Sequence, residues 1–324
     1  MLPEVILEFK KQFPSMLENE LLSKHTNMRI GGPAALFFSA AVPGDLIKAV
    51  SLARSQGVAW TVLGGGSNVL ASDDGFDGLV VQPAFRDIKL RQQTVTAEAG
   101  AITSSVARQT AEAGLAGLEW AVGVPGTIGG AVFGNAGCYG GEIKDNLVSV
   151  DCLRLSDMKP AVYPASDCGL GYRTSRFKRE PHVILRATFK LTPGDPEQLK
   201  HRIEEIMRQR KEKQPLEHGS AGCMFKNFIF KDEGELDRLK RDVKNIPAQM
   251  LERKSISAGW LVEQAGLLGE KIGDAQVSDK HGNFIVNLGH ARAQDVLMLT
   301  SKIKMKIRDE YDIMLEDEVQ LLGF

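Results

Sequence analysis

The chain has 324 residues, of which 43% are hydrophobic and 25% charged, and its net charge is −1. A chain of this length suits two or three compact domains better than a single core. The near-neutral charge gives nucleic acid no general attraction, and no stretch is apolar over the length that a membrane span needs.

The cysteines and the first residues indicate the compartment. Cys138, Cys152, Cys168 and Cys223 form no Cys-x-x-Cys pair, which is typical of free thiols in a reducing compartment. Residues 1–13 mix charged and apolar side chains as an amphipathic helix does, without the apolar run of a secretory signal. We therefore expect a cytoplasmic, globular protein.

The first two thirds of the chain contain both helices and strands. From Pro43 the apolar spacing predicts a helix, which Gly57 ends, and an apolar strand follows over 59–63. Further elements are predicted in this order: strands over 78–82 and 94–98, a helix over 101–113, and strands over 149–155 and 182–191.

A domain boundary is predicted at 196/197, because the segment 192–196 is dense in proline and glycine. Beyond it the patterns predict a helix over 198–214, a charged helical stretch over 230–256, helices over 258–265 and 293–311, and a strand over 318–322. The stretch 230–256 is predicted to be a peripheral insertion.

A triglycine turn, Gly64–Gly66, follows the strand at 59–63, and Ser67 and Asn68 come directly after it. Consecutive glycines let several backbone N–H groups point at one anion, and the two polar side chains add donors, so the turn suits a diphosphate. Neither the Gly-x-Gly-x-x-Gly spacing nor a P-loop lysine is present. A tight strand-to-loop turn without a ligand is the alternative.

A second glycine tract runs from Gly123 through Pro125 to Gly137, and a shorter one covers 29–34. Proline fixes the backbone while the glycines permit close approach to a flat or anionic ligand, such as an isoalloxazine ring and its pyrophosphate. Close helix packing through small residues is the alternative. Three such tracts in one chain favour the ligand.

With further blocks these tracts resemble a known family. Residues 29–34, 63–68 and 123–137 are similar to the flavin-binding segments of the PCMH (vanillyl-alcohol-oxidase-type) FAD fold, and in detail to its UDP-N-acetylenolpyruvoylglucosamine reductase family. The resemblance continues, in the family's order, through 171–175, 220–227, 283–287 and 315–319.

The resemblance implies an α+β fold with non-covalent FAD. Residues 1–196 would form a two-part PCMH-type FAD-binding domain, split near 84–90, and residues 197–324 an α+β domain for the UDP-sugar. The chain resembles the compact branch of the family. The implied FAD-binding residues are Arg29, Gly31, Gly64, Gly65, Gly66, Ser67, Asn68, Gly123, Pro125, Gly126, Thr127, Gly129, Gly130 and Ala131.

The implied reaction is the NADPH-dependent reduction of UDP-N-acetylglucosamine-enolpyruvate to UDP-N-acetylmuramate, a precursor of peptidoglycan. Hydride passes from flavin N5 to the β-carbon of the enolpyruvyl group. Arg173 matches the family arginine at the substrate carboxylate, where a guanidinium fork stabilises developing enolate charge. Glu318 matches the catalytic glutamate, although Glu316 shares its face of the strand. Ordinary surface salt bridges are the alternative for both.

Cys223 occupies the position where the family usually has a serine that donates the proton. A thiol is a stronger acid than a hydroxyl and is mostly protonated at neutral pH, so it suits the same work. A small buried cysteine without a role is the alternative. The implied substrate-binding residues are Tyr172, Arg210, Lys213, Asn227 and His281, although the basic residues of the helix at 198–214 are equally typical of a solvated face.

Two other functions fit parts of these observations. An FAD-dependent oxidase of a sugar or hydroxy acid on the same fold would react with oxygen and would need no pairing of Cys223 with Glu318. A non-catalytic flavin- or nucleotide-binding protein would have Cys223 as the mark of a decayed site. For partners we expect the UDP-sugar as a small-molecule substrate, neither nucleic acid nor membrane, and a monomer.

Overall fold

The structure, a computed structural model, describes residues 1–243 and 245–324, with the backbone alone at 233, 237–239 and 242. The chain divides into two compact units. Unit 1 contains residues 1–20, 33–66 and 76–212, and unit 2 contains residues 21–32, 67–75 and 213–324. These units are discontinuous, whereas the predicted domains 1–196 and 197–324 are continuous; the assignment of those two domains to ligands stays a prediction.

The α-helices are α1 Pro3–Gln12, α2 Pro43–Ser55, α3 Thr103–Glu112, α4 Ile128–Gly134, α5 Arg176–Arg179, α6 Pro196–Lys213, α7 Glu233–Asp242, α8 Ala248–Glu252, α9 Ala258–Gln264 and α10 Ala293–Tyr311. In the part of the chain that is described, no helix has the length and apolar character that crossing a membrane requires.

The strands are β1 Leu17–Leu21, β2 Pro33–Ala40, β3 Trp60–Val62, β4 Val69–Ala71, β5 Phe76–Pro83, β6 Ile88–Arg91, β7 Thr94–Glu98, β8 Leu115–Ala116, β9 Gly137–Cys138, β10 Gly141–Glu142, β11 Leu147–Arg154, β12 Lys159–Pro164, β13 His182–Lys190, β14 Thr192–Pro193, β15 Gly219–Cys223, β16 Phe228–Ile229, β17 Ser255–Ile256, β18 Lys271–Ile272, β19 Ala275–Val277, β20 Phe284–Asn287 and β21 Gln320–Leu322.

Unit 1 contains two larger sheets. In the order β1-β2-β5-β3, strand β5 is central and parallel to both β2 and β3, and residues 78–81 of β5 are all buried, as expected for a parallel strand covered on both faces. The second sheet, β12-β11-β13-β7-β6, is antiparallel throughout. Helix α2 buries Leu46, Ala49, Val50 and Ala53 in the core of this unit.

Unit 2 is built on the antiparallel sheet β15-β20-β19-β18. Helices α9 and α10 bury their apolar faces in the same core, which includes Leu261, Val296 and Ile303. Strands β4 and β21 form a separate parallel pair with Val69 opposite Gln320. Paired strands β16 and β17 enclose α7 and α8 along the chain, so the predicted insertion lies mostly between them, and its residue 244 lies outside the described residues.

Most predicted elements are confirmed, with boundaries shifted by no more than three residues. Helix α10 covers the predicted range 293–311. The strand predicted over 318–322 is shorter, because β21 begins at Gln320. Helix α4, inside the second glycine tract, was not predicted, since glycine disfavours helix. Its start is held by tertiary hydrogen bonds, from Ile128 N to Ala101 O (2.9 Å) and from Gly129 N to Ala99 O (2.9 Å).

Candidate active site

The two long glycine tracts meet in unit 1. A Cβ on Gly64 would lie 2.7 Å from Thr127 Oγ1, and one on Gly65 would lie 2.6 Å from Gly126 Cα. Both distances are too short for a side chain, so the turn after β3 approaches the Pro-Gly-Thr segment as closely as two backbones allow. The carbonyl of Gly64 also accepts a hydrogen bond from Gln82 Nε2 (3.2 Å).

Thr127 is the residue of this contact that suits a bound group. Its side chain is 6% exposed, and among the described residues nothing hydrogen-bonds its hydroxyl. A buried hydroxyl without a partner is costly unless a ligand satisfies it. The backbone around it is fixed, because Thr103 donates from both its N and its Oγ1 to Gly126 O (3.1 Å each). The residues present therefore fit the FAD that the resemblance implies.

The other predicted FAD-binding residues of unit 1 lie in the same two glycine tracts. Gly129 packs on Ala99, and the three residues Gly129, Gly130 and Ala131 belong to α4. Gly123 lies under Tyr139 and Cys138, at 2.9 Å and 3.3 Å from where its Cβ would be. The remaining members of the set in this unit are Gly66, whose φ is +61°, and Pro125.

Arg173 lies at the tip of a tight turn, residues 171–174, which two backbone hydrogen bonds close. Gly171 N donates to Thr174 O (3.1 Å), and Thr174 N donates to Gly171 O (3.2 Å). Tyr172 and Arg173 are the two central residues, and Arg173 has φ +53°, the conformation that a type II turn requires at its third residue. Glycine usually fills that position, so an arginine there is strained.

Side chains from three places hold this turn. Asn135, 1% exposed, donates from Nδ2 to Gly171 O (2.9 Å). Ser175 Oγ donates to Phe133 O (2.7 Å). The guanidinium of Arg173 donates from Nη1 to Gly137 O (3.0 Å) and lies 5.6 Å from the ring centre of Tyr172, which is 41% exposed. The predicted catalytic arginine is therefore fixed at both its backbone and its side chain.

A half-buried cation, Arg210 of α6, lies near Cys138 and Tyr139, which follow the carbonyl of Gly137 that Arg173 contacts. Burial lowers the pKa of its guanidinium, and the nearby Tyr139 and Cys138 oppose that shift. Burial raises the pKa of the Tyr139 phenol, and raises the pKa of the Cys138 thiol to about 11. Cys138 Sγ donates to Trp120 O (3.3 Å). The structure thus brings Arg210 together with Tyr139, a residue that the sequence analysis did not single out.

In unit 2 the segment that follows Cys223 pairs with the segment that contains Glu318, which brings these two residues close together. Phe225 and Asp317 form an antiparallel bridge, Glu318 N donates to Met224 O (2.8 Å), and Lys226 N donates to Glu316 O (2.9 Å). Cys223, half-buried at the end of β15, therefore precedes the residue whose carbonyl holds Glu318. Glu316, the alternative to Glu318, pairs with Lys226 (2.9 Å), which lowers the pKa of the Glu316 carboxyl.

Two asparagines organise this pairing. Asn68 Nδ2 donates to Glu318 O (3.1 Å), and Asn68 O accepts from Gln320 N (3.0 Å). Asn283, 3% exposed, accepts from Phe225 N (2.9 Å) and donates to Phe225 O (2.8 Å). Asn68 was predicted as an FAD ligand from the anion nest, and that role stays a prediction. Its amide has a second role that the local sequence does not signal.

The other predicted residues of unit 2 have varied surroundings. Asn227 Oδ1 accepts from Ala258 N (3.2 Å) at the start of α9. Burial lowers the pKa of His281, whose Nδ1 accepts from Asn283 N (3.2 Å). Lys213 is the exposed last residue of α6, and Arg29 is exposed with φ +57°.

Close packing within unit 2 explains why residue 31 is a glycine. A Cβ there would lie 2.7 Å from Ala71 Cβ and 2.9 Å from Leu22 Cβ, and its φ is +140°. Ser67, the next residue of the predicted set, adjoins Gly222, whose Cβ would lie 4.0 Å from Ser67 O. Among the described residues no group of three or more histidine, cysteine or acidic side chains is placed to hold a metal ion.

Two family models match the chain. Residues 34–157 match the FAD binding domain, and residues 214–322 match the C-terminal domain of UDP-N-acetylenolpyruvoylglucosamine reductase. The first match contains both long glycine tracts, and the second contains Cys223 and Glu318.

Relatives of known name match over nearly the full length. The UDP-N-acetylenolpyruvoylglucosamine reductase of Caldicellulosiruptor bescii is 38% identical over 98% of this chain and 91% of its own length. That of Rubrobacter xylanophilus is 39% identical over 97% of both chains. The crystal structure of the Thermus caldophilus reductase is similar, with a TM-score of 0.74 and 33% identity over 95% of this chain and 99% of that one. This chain therefore belongs to the UDP-N-acetylenolpyruvoylglucosamine reductase family.

Proposed function

We propose that this protein reduces UDP-N-acetylglucosamine-enolpyruvate to UDP-N-acetylmuramate with NADPH, in peptidoglycan precursor synthesis. The observation that carries this proposal is the similarity of at least 38% identity over nearly the whole chain to reductases of that name. The local structure around each predicted catalytic residue supports it, because backbone hydrogen bonds hold the turn of Arg173 in unit 1 and, in unit 2, the segments of Cys223 and Glu318.

When bound, FAD would supply the redox chemistry, which is hydride transfer from NADPH to the enolpyruvyl group. The residues proposed to hold it include Gly64, Gly65, Gly126 and Thr127. The close contact between these backbones leaves the Thr127 hydroxyl available inside the protein. Arg29, Gly31, Ser67 and the rest of the three tracts are also proposed as FAD-binding residues.

Arg173 is proposed to bind the carboxylate of the enolpyruvyl group. A planar guanidinium matches a planar carboxylate, and its charge stabilises the enolate that develops when hydride arrives at the β-carbon. Because Gly137 O and the turn itself already fix the arginine, little reorganisation is needed when this charge appears. Such preorganisation is what makes electrostatic stabilisation effective.

Cys223 is proposed to donate a proton to the α-carbon, which completes addition of two hydrogens across the double bond. Glu318 is proposed to assist in stabilising the enolate or in orienting the acid. The main chain of Glu318 forms hydrogen bonds with Met224 and Asn68, so its Cα is held in a fixed position next to the end of β15. Tyr172, Arg210, Lys213, Asn227 and His281 are proposed to bind the UDP-sugar, with the cations at its phosphates. A cytoplasmic monomer is proposed as the working state.

Anaerobic stopped-flow absorbance of the purified protein tests the function. NADPH should bleach the flavin, and UDP-N-acetylglucosamine-enolpyruvate should then restore its colour rapidly, while oxygen restores it slowly. Fast restoration by oxygen without response to the UDP-sugar would identify an oxidase. Bleaching without any turnover of substrate would identify a non-catalytic flavin protein.

A further inference from the structure

The strained turn that carries Arg173 has one more support, from the ammonium group of Lys178. Lys178 Nζ donates to the backbone carbonyl of Arg173 (3.0 Å) and lies 5.6 Å from the ring centre of Phe133. The same Phe133 accepts the hydrogen bond from Ser175 through its carbonyl. Lys178 is therefore attached to both the turn and the helix α4 behind it.

The backbone of Arg173 needs such a support. A non-glycine residue with positive φ is less stable than the same residue in its ordinary conformation, because its Cβ comes too close to the backbone. If φ became negative, the Arg173 carbonyl would no longer point at Lys178, and the Cα–Cβ bond would direct the side chain elsewhere. A charge-assisted hydrogen bond to that carbonyl favours the strained conformation, since it is made only when the carbonyl faces Lys178.

We propose that Lys178 is a positioning residue, which acts through the Arg173 carbonyl to keep the Arg173 guanidinium aimed at its target. The inference rests on the proposed role of Arg173 in binding the enolpyruvyl carboxylate. Asn135 holds the opposite side of the turn at Gly171 O, so the two side chains fix both strands of the turn. Asn135 is fully buried, however, and half-buried Lys178 is the residue that can be changed without opening the core.

The test compares Lys178→Met, which removes the donor, with Lys178→Arg, which keeps a cationic donor. Arg179→Met is the matched control, because it removes a neighbouring cation from the same short helix without a bond to residues 171–174. With Lys178→Met, restoration of the bleached flavin by the UDP-sugar should slow by about 10- to 100-fold. Bleaching by NADPH, FAD content and the Tm should stay as in the parent, and Lys178→Arg should recover most of the rate.

A double variant separates positioning from general stability. In an Arg173→Ala background, adding Lys178→Met should change the restoration rate by less than about twofold, because its effect passes through Arg173. Hydrogen exchange should report the same coupling without turnover: amides of residues 171–175 should exchange faster in Lys178→Met, and those of α3 should not.

Each outcome decides between the two ideas. Normal restoration in Lys178→Met together with slow restoration in Arg173→Ala would overturn the positioning role alone. Fully multiplicative effects of the two changes would also overturn it. Normal restoration in Arg173→Ala would instead overturn the proposed catalytic role of Arg173, on which the inference rests.

Discussion

Single residues of the candidate site adopt backbone conformations that most side chains avoid. Asn135, Tyr139 and Arg173 have φ values of +43°, +51° and +53°. Residues in this region are stable only where their surroundings hold them, and here Asn135 forms hydrogen bonds to Gly171, Glu142 and Lys144. We infer that this part of the molecule stores local strain in order to present Tyr139 and Arg173 in fixed positions.

A change at Gly65 tests the contact between the two glycine tracts. In Gly65→Ala the new Cβ would lie 2.6 Å from Gly126 Cα, and backbone must move to relieve the clash. We expect FAD affinity to fall by about 10- to 100-fold, measured by flavin fluorescence on dilution. Gly134→Ala is the control, because nothing lies within 4 Å of its Cβ. Unchanged affinity in Gly65→Ala would contradict a cofactor site at this contact.

Variants of Cys223 test the proton donor. Loss of a general acid slows a reaction by about 100-fold or more, so Cys223→Ala should slow restoration of the flavin by the UDP-sugar accordingly. Cys223→Ser should keep appreciable activity and should also resist thiol alkylation. Cys168→Ala is the control, since Cys168 is buried and donates to Tyr163 O and Pro164 O. A Cys223→Ala enzyme as fast as the parent would exclude the thiol as the donor.

At the scale of elements, the start of α10 depends on a residue from far away in the sequence. Asp73 accepts hydrogen bonds from Ala293 N (2.9 Å) and Gln294 N (3.2 Å), two of the free N–H groups of the first turn. An acidic side chain at a helix start also interacts favourably with the helix dipole. This segment therefore ties β4 to α10 within unit 2.

Asp73→Ala should destabilise unit 2 by about 1 kcal/mol, the usual value for loss of such a cap. We expect the Tm to fall by about 2 °C, measured by circular dichroism. Asp74→Ala removes the same charge from the next, exposed position and should leave the Tm unchanged. An equal fall in both variants would show that charge, and not the two hydrogen bonds, stabilises the helix.

Local pattern was enough to predict the elements but not their long-range partners. Helices α2 and α10 could be predicted from apolar spacing, because each buries one face and its apolar residues recur at helical intervals in the sequence. The site residues were predicted from family motifs. Asn68 shows what those motifs do not predict. Its amide donates a hydrogen bond to the backbone of Glu318, 250 positions away, and no local sequence pattern indicates such a bond. Asn135 was missed for the same reason, since its amide bonds Gly171, 36 positions away. Lys178 is only five positions from Arg173, but its bond depends on the turn conformation, which the sequence does not signal.

For the whole molecule, buried thiols predict a dependence of stability on alkaline pH. Burial raises the pKa of Cys138 and Cys168 to about 11 and that of Cys152 to about 12, from a usual value of 9.0. Above pH 9 the unfolded chain releases these protons while the folded protein retains them. The stabilisation is complete below pH 9 and is lost as pH rises toward 11–12.

Thermal unfolding between pH 8 and pH 10.5 tests this dependence. Cys152→Ala should have a lower Tm than the parent at pH 8, because it loses packing in the core of unit 1. The difference should shrink as the pH rises, since the variant has no thiol to ionise at that position. A constant difference across the range would contradict the link between this thiol and alkaline stability.

The division of the chain has a consequence for synthesis on the ribosome. Strand β4, residues 69–71, pairs with β21, residues 320–322, so the earlier strand is made roughly 250 residues before its partner. At about 5–20 residues per second, β4 remains without this partner for roughly 10–50 s. Residues 21–32 wait in the same way for the rest of unit 2. Nascent chains of this protein should therefore expose two short segments late into translation, and these are the places where we expect a chaperone to bind.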